Sequence, residues 1–262
     1  MNNSRDMACN LEPRMELNDN MIHLWRVFLP GLEHCPDKLK KILSTEENNY
    51  CNKLRNAAQR SRFIIRKAIQ RLLISKYIPL IAEQIKYSFT QFGRPIVAGG
   101  NFNENVEFNI SHSGEWLLMV FSKQRLMGVD VEYLKRDFPT LAIAERFFSA
   151  IEAQAVKACA GHEEIRAFFT IWVRKEAYIK ALGKGLYMPL QSFSVPTQDI
   201  VSHKGPTKQS LHFVGSVSPD SNFFDVHVDS KHVGCVVCPQ TTTNITTFDL
   251  NSMDDVRECL RQ

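Results

Sequence analysis

The chain has 262 residues, enough to bury roughly three quarters of the surface its unfolded form exposes. At 44% hydrophobic, 23% charged and 10% aromatic residues, it has the composition of a globular protein, which excludes collagenous, coiled-coil and wholly disordered classes. Its net charge of +4, from 32 basic and 28 acidic residues, suits an anionic ligand or an acidic partner and is too slight to indicate nucleic acid.

Residues 1–20 are polar and aperiodic and are expected to form a flexible leader without the apolar core of a secretory signal. No apolar run approaches the roughly 18 residues of a membrane span; Leu117 to Phe121 is the longest near the middle. Seven cysteines, odd in number and scattered, fit a reducing cytoplasm better than a disulfide framework. Met21 to Leu29 alternates imperfectly before Pro30-Gly31, as a strand buried on much of both faces does. Ser44-Thr45-Glu46-Glu47 has the S-x-x-E spacing of a helix start. Beyond it Phe63, Ile65, Ile69, Leu72 and Leu73 recur at helical spacing. Arg60, Arg62, Arg66, Lys67 and Arg71 crowd the same stretch, as a solvated basic face or as an anion-binding edge.

After Pro79, Ile85 to Phe89 reads as a short strand, Gly93-Arg94-Pro95 as a turn, and Val106 to Ile110 as an alternating strand. Ser111-His112-Ser113-Gly114-Glu115 turns it back into Trp116 to Phe121, and Gly128 to Tyr133 supplies a further strand. Leu141 to Leu182 is helical, with a second S-x-x-E start at Ser149 to Glu152 and a stop at Gly183-Lys184-Gly185. Ser192 to Val195, Leu211 to Val214, Phe223 to Val228 and His232 to Val237 are strand candidates, and Val201 to Gln209 reads as a polar loop. The whole predicts an α+β fold of two linked halves, each a small antiparallel sheet packed with a long helix: 21–125 and 126–250, followed by a C-terminal tail, 251–262.

Three segments could carry chemistry. Asp130 and Glu132 leave the same face of a strand, where two bare carboxylates about 4 Å apart repel by about 1 to 4 kcal/mol and invite a cation, Mg²⁺ by its oxygen preference. A solvated strand face is the plainer reading of that pair. Glu176 and Lys180 stand i, i+4 on one helical face, which a surface ion pair would explain. Yet Arg174, Lys175, Lys180 and Lys184 crowd around that single acid beside a glycine-rich exit, as phosphate-neutralising groups would. Asn109-Ile110-Ser111-His112-Ser113-Gly114 is either a simple turn or a phosphate-binding strand end. Cys235-Val236-Val237-Cys238 beside His232 is set aside as a metal or redox motif, since residues three apart on a strand point to opposite faces.

Phe108-Asn109-Ile110-Ser111-His112-Ser113, Gly128-Val129-Asp130-Val131-Glu132, Phe147-Phe148-Ser149 with Glu152, and Trp172, Lys175-Glu176-Ala177, Lys180 and Gly183-Lys184-Gly185-Leu186 together resemble the Sfp-type 4′-phosphopantetheinyl transferases, more loosely from about residue 22 to about 250. The resemblance implies a pseudo-twofold arrangement of the two halves, monomeric, with coenzyme A as co-substrate and Mg²⁺ in the cleft between them. It implies a serine hydroxyl of an apo acyl or peptidyl carrier protein attacking the β-phosphorus, with release of adenosine 3′,5′-bisphosphate. Asp130, Glu132 and Glu176 match the metal-binding acids, Glu176 also the base. Lys180 matches the lysine facing the phosphates; Asn109, Ser111 and His112 match the nucleotide end, Arg94 the adenine side, and Lys175 the same coenzyme-binding motif. Positions where some members carry phosphate-binding lysines fall on Glu47, Tyr50 and Ala57, so Arg62, Arg55 or Lys53 is expected to meet the 3′-phosphate. The alternatives are a catalytically inactive coenzyme- or carrier-binding module and a Mg²⁺-dependent phosphodiesterase. Neither nucleic acid nor membrane is an expected partner.

Overall fold

The computed structural model describes residues 15–32, 36–98, 106–124, 126–183, 188–201, 211–217 and 221–261. In the first half, strand β1 (Met21–Phe28) leads to helices α1 (Pro36–Lys40), α2 (Thr45–Lys53) and the 19-residue α3 (Ala57–Ser75). A small hairpin, β2 (Tyr87–Phe89) and β3 (Pro95–Val97), precedes a longer one, β4 (Glu107–Ser113) and β5 (Trp116–Ser122). β5 returns antiparallel to β1, with Leu24 opposite Val120, and β4 pairs on its far side.

The second half repeats the plan. Strand β6 (Gly128–Tyr133) is followed by α4 (Thr140–Phe147), α5 (Ala150–Lys157), the 21-residue α6 (His162–Leu182) and the short α7 (Gln198–Val201). Strands β7 (Leu211–Val217), β8 (Ser221–Val226) and β9 (His232–Pro239) complete a four-stranded antiparallel sheet, in which β9 returns against β6 with Asp130 opposite Cys235. First strand, long helix and returning last strand thus recur in both halves, the expected pseudo-twofold α+β plan.

One strand crosses over. β10 (Asn244–Leu250), expected in the C-terminal half, runs parallel to β1 and makes the first sheet mixed rather than purely antiparallel. Phe248 of β10 stacks on Trp25 with ring centroids 4.5 Å apart, and Leu250 is buried, so β10 covers the outer edge of β1. The tail forms α8 (Met253–Arg261), which buries Val256. Order also begins ahead of Met21: the Met15 N–H donates to the Lys76 carbonyl, and Leu17 lies in the core.

Both S-x-x-E signals start helices as full capping boxes, Ser44 with Glu47 and Ser149 with Glu152. Asn56 caps α3 at the Gln59 N–H, and Gly183, at φ +64°, ends α6 in the left-handed conformation that glycine adopts without strain. The apolar face of α3 (Ile65, Ile69, Leu72, Leu73) packs on Trp25, Leu117 and Phe121 of the first sheet. That of α6 (Phe168, Ile171, Ala177) packs on Phe223, Val233 and Cys235 of the second. The remaining sheet faces meet through Ile22, Leu24, Leu118, Val120, Val129, Val131 and Val236. Cys235 belongs to the helix-side core and Cys238 to the inter-sheet core, so the two thiols point apart as the strand period requires.

Ser192 to Val195 is not a strand. A 3-10 turn at Leu190–Ser192 leads into it, and the Val195 N–H is taken by the Glu152 carboxylate at 2.8 Å instead of by a neighbouring strand. The polar loop expected after Val201 and the Lys184-Gly185-Leu186 segment lie outside the described residues.

Candidate active site

The site forms where the halves meet. Gly128 lets β6 lie against α6: a Cβ there would come within 2.0 Å of the Ala177 carbonyl oxygen. That approach brings Asp130 beneath the face of α6 that carries Glu176 and Lys180. Lys180 Nζ donates to Asp130 Oδ1 at 2.7 Å and to the Val129 carbonyl at 3.1 Å, with a longer 3.5 Å contact to the Ile110 carbonyl of β4. The cation that the β6 acids invite is therefore supplied at Asp130 by Lys180 itself.

Asp130 Oδ2 and Glu176 Oε1 are buried without a hydrogen-bond partner. Burial, and then the Asp130 charge, pushes the Glu176 carboxyl up to about 7 against the pull of Lys180. Glu132 is also raised, first by burial and further by Asp130, while a 2.8 Å hydrogen bond from Ser113 opposes the shift. Among the described residues no three His, Cys, Asp or Glu side chains make a ready metal cluster. Asp130 and Glu176 nonetheless fit a divalent ion by chemistry: each keeps a buried carboxylate oxygen with nothing to satisfy it.

Two pockets open beside this group and share Lys180. The larger, about 570 Å³, is lined by Phe92, Arg94, Phe108, Asn109, Glu176 and Lys180 among others. The smaller, about 340 Å³, is lined by Arg66, Lys67, Gln70, Tyr87, His112 and Lys180 among others. Arg66 donates to a His112 ring nitrogen at 2.8 Å. Burial, then Arg66, Lys180 and Lys67, holds His112 down to about 4, so it stays neutral. Lys67 is lowered first by burial and further by Arg66 and Arg71, against the pull of Glu47. The smaller pocket thus holds Arg66 and Lys67 against a cost that is first of all burial, a setting suited to an anion.

Of the residues expected from sequence, Asp130, Glu176, Lys180, Asn109 and Ser111 come together, and Glu132 joins them through Ser113. Ser111 turns its hydroxyl to Asp130, at 2.7 Å. Arg94 borders the larger pocket, its guanidinium bonded to Glu107 and to the Phe108 carbonyl, both at 2.9 Å. Lys175 does not reach the pockets. It is fully buried, 2.7 Å from Glu152 and bonded to the carbonyls of Leu190 and Phe193, so it straps the 188–195 segment onto α6. Arg174 is likewise buried, held by Asp199, Asp225 and the Pro196 carbonyl. Half of the expected phosphate-neutralising cluster is therefore internal scaffolding.

Arg62 is exposed and borders neither pocket, whereas Arg66 and Lys67, a turn further along α3, do. Their signal in the sequence was phase, one turn past Arg62 on the flank of the apolar stripe, and charge counting concealed it. Glu47 is occupied too: it caps Ser44 and pairs with Arg71 at 2.7 Å. Glu152, read from sequence as a cap alone, also neutralises Lys175.

A model of the 4′-phosphopantetheinyl transferase superfamily matches residues 126–226, and one of the 4′-phosphopantetheinyl transferase N-terminal region matches residues 34–124. The chain is 35% identical over 219 residues to the 4′-phosphopantetheinyl transferase ffp of Bacillus subtilis, spanning 83% of this chain and 92% of that protein. It is 30% identical over 219 residues to the 4′-phosphopantetheinyl transferase Sfp of Bacillus subtilis strain 168, spanning 80% and 89%. To the 4′-phosphopantetheinyl transferase HetI of a Nostoc species it is 29% identical over 213 residues, spanning 80% and 88%. With matches across both halves and over most of each relative, the chain belongs to the 4′-phosphopantetheinyl transferase family.

Proposed function

We propose that the enzyme moves the 4′-phosphopantetheine group of coenzyme A onto a serine hydroxyl of an apo acyl or peptidyl carrier protein, with Mg²⁺ held by Asp130, Glu176 and Glu132. The observation that carries this reading is the buried, unpartnered pair of carboxylate oxygens on Asp130 and Glu176, set where two pockets meet at one lysine. A divalent ion there would offset the burial and the Asp130 repulsion that together raise Glu176, and would neutralise charge on the pyrophosphate. Arg66, Lys67 and neutral His112 suit the coenzyme's 3′-phosphate. The larger pocket, with Arg94 at its wall, suits the rest of the nucleotide.

Glu176 accepts the carrier serine's proton, and the freed oxygen attacks the β-phosphorus. The phosphorus–oxygen bond to the bridging oxygen breaks, and adenosine 3′,5′-bisphosphate leaves. Lys180 supplies a fixed positive charge beside the reacting phosphates. The test is mass spectrometry of apo carrier domains from fatty-acid, polyketide and nonribosomal-peptide systems, each incubated with enzyme, coenzyme A and Mg²⁺. At least one should gain one phosphopantetheine, and a panel with no gain would end the reading.

A further inference from the structure

β4 and β6 are edge strands of separate sheets that face each other across the join of the two halves. An edge strand leaves a row of backbone N–H groups to be satisfied, and burial makes an orphan there costly. Side chains do the work of a ladder here. Asn109 accepts from the Val129 N–H at 3.4 Å, Ser111 from the Val131 N–H at 3.4 Å and Ser113 from the Tyr133 N–H at 3.0 Å. Alternate residues of β4 thus meet alternate N–H groups of β6 in a constant register.

The two serines do something the asparagine does not. A serine hydroxyl accepts with its lone pairs and has one proton to donate. Ser111 gives its proton to Asp130 at 2.7 Å and Ser113 gives its proton to Glu132 at 2.8 Å, in each case the acid just before the N–H it accepts. The residue before Val129 is Gly128, which has no side chain to receive a proton, and there the acceptor of the Val129 N–H is Asn109.

We propose that Ser111 and Ser113 are positioning residues of the transfer reaction, each clamping one β6 carboxylate from the opposite half of the molecule. The proposal rests on the transferase reading for its kinetic consequence and on the seam geometry for its structural one. Ser111 and Lys180 both bond Asp130 Oδ1, which fixes that carboxylate and leaves Oδ2 as its unpartnered oxygen. Ser111 also borders the smaller pocket, as the nucleotide role implied by the sequence resemblance requires, whereas Ser113 borders neither pocket, so Ser113 separates the two roles in kinetics. A residue holding the coenzyme raises KM when truncated, whereas a residue holding a reacting carboxylate lowers kcat.

The test is steady-state transfer by Ser111→Ala, Ser113→Ala and Ser111→Thr, with denaturant unfolding of the same proteins in the absence of substrate. Ser113→Ala should lower kcat on the order of tenfold, as loss of one hydrogen bond to a charged group does, with KM for coenzyme A within about twofold. Ser111→Ala should lower kcat likewise and raise KM for coenzyme A as well, since Ser111 borders the smaller pocket, and Ser111→Thr, which keeps the hydroxyl, should recover most of the rate. Ser111→Ala should also lower the unfolding midpoint in the parent chain and much less in an Asp130→Ala background. That cycle decides the clamp even if no carrier is modified, so a failed transferase reading stays distinguishable. Unchanged kcat, a rise in KM alone, or equal unfolding shifts in both backgrounds would overturn the proposal.

Discussion

The two long helices hold matching places in the two halves and carry similar charge, yet they use it differently. On α3, Arg66 and Lys67 line an open pocket, while Arg71 is buried against Glu47 and the carbonyls of Ala82 and Ile85. On α6, two adjacent cations, Arg174 and Lys175, are wholly buried, and the cleft receives Glu176 and Lys180. Each helix therefore splits its charges into an internal brace and a cleft-facing pair. What separates the two roles is helical phase, which is not visible in a count of charged residues.

The sharpest break of this comparison is at the cleft face of α6. Glu176→Gln keeps the shape and removes the proton acceptor, so transfer should fall on the order of a thousandfold while the thermal transition stays in place. Near-normal turnover in the carrier mass assay would remove Glu176 from the chemistry. The brace of α6 should give the opposite pattern. Lys175→Met leaves Glu152 charged and buried without its cation, at a cost of about 3 to 5 kcal/mol. For a chain of this size that is a fall of about 10 °C in the midpoint, read by circular dichroism. The double replacement Lys175→Met with Glu152→Leu should recover part of the loss. A Lys175→Met protein that melts normally and binds coenzyme A poorly would restore the ligand role drawn from sequence.

Local signals were the legible ones. Both capping boxes, the glycine stop of α6 and the alternation of β4 and β6 are set by neighbours a few residues apart, and each formed where its spacing put it. The acids and Lys180 also converged, because Gly128 and the i, i+4 spacing on α6 fix them locally once β6 packs beneath that helix. Non-local partnerships stayed hidden. Nothing near Asn244 announces that β10 will cross to β1, since the edge it covers lies 223 residues earlier in the Met21–Asn244 pairing. Lys175 and Glu152 sit 23 positions apart and read as a surface base and a helix cap until burial joins them.

Acid should separate the halves next. Where α6 is braced by ion pairs, the segment after α3 rests on a neutral network: the Tyr77 hydroxyl accepts from Trp25 at 2.8 Å and shares a 2.9 Å hydrogen bond with His23 Nδ1. His23 is 5% exposed, and burial lowers it from 6.5 to about 4. Its folded pKa lies below the unfolded one, so the unfolded chain takes the proton first as pH falls. The stability it contributes is full above about 6.5, is lost between 6.5 and 4, and amounts to about 3 kcal/mol at most. His23→Gln keeps a hydrogen-bonding side chain beside Tyr77 without titrating. Urea unfolding across that window should show the parent losing stability relative to the variant, and parallel curves would disprove the assignment.

The smallest and most discriminating effect belongs to the open face of α3. If phase decides which cations serve the cleft, Arg66 and Arg62 must differ although they stand one turn apart. Arg66 lines the smaller pocket and donates to His112, and burial lowers its pKa, so its charge is held partly out of water where a phosphate would benefit from it most. Arg62 is exposed, and a charge there is screened by water and salt. Arg66→Ala should therefore raise KM for coenzyme A about tenfold, the scale of one charge-assisted hydrogen bond, and leave KM for dephospho-coenzyme A nearly unchanged. Arg62→Ala should move either value by less than about twofold. Equal effects of the two substitutions would mean that the coenzyme senses the helix as a diffuse basic surface. A selective loss with Arg66 would mean that one turn of α3 determines recognition.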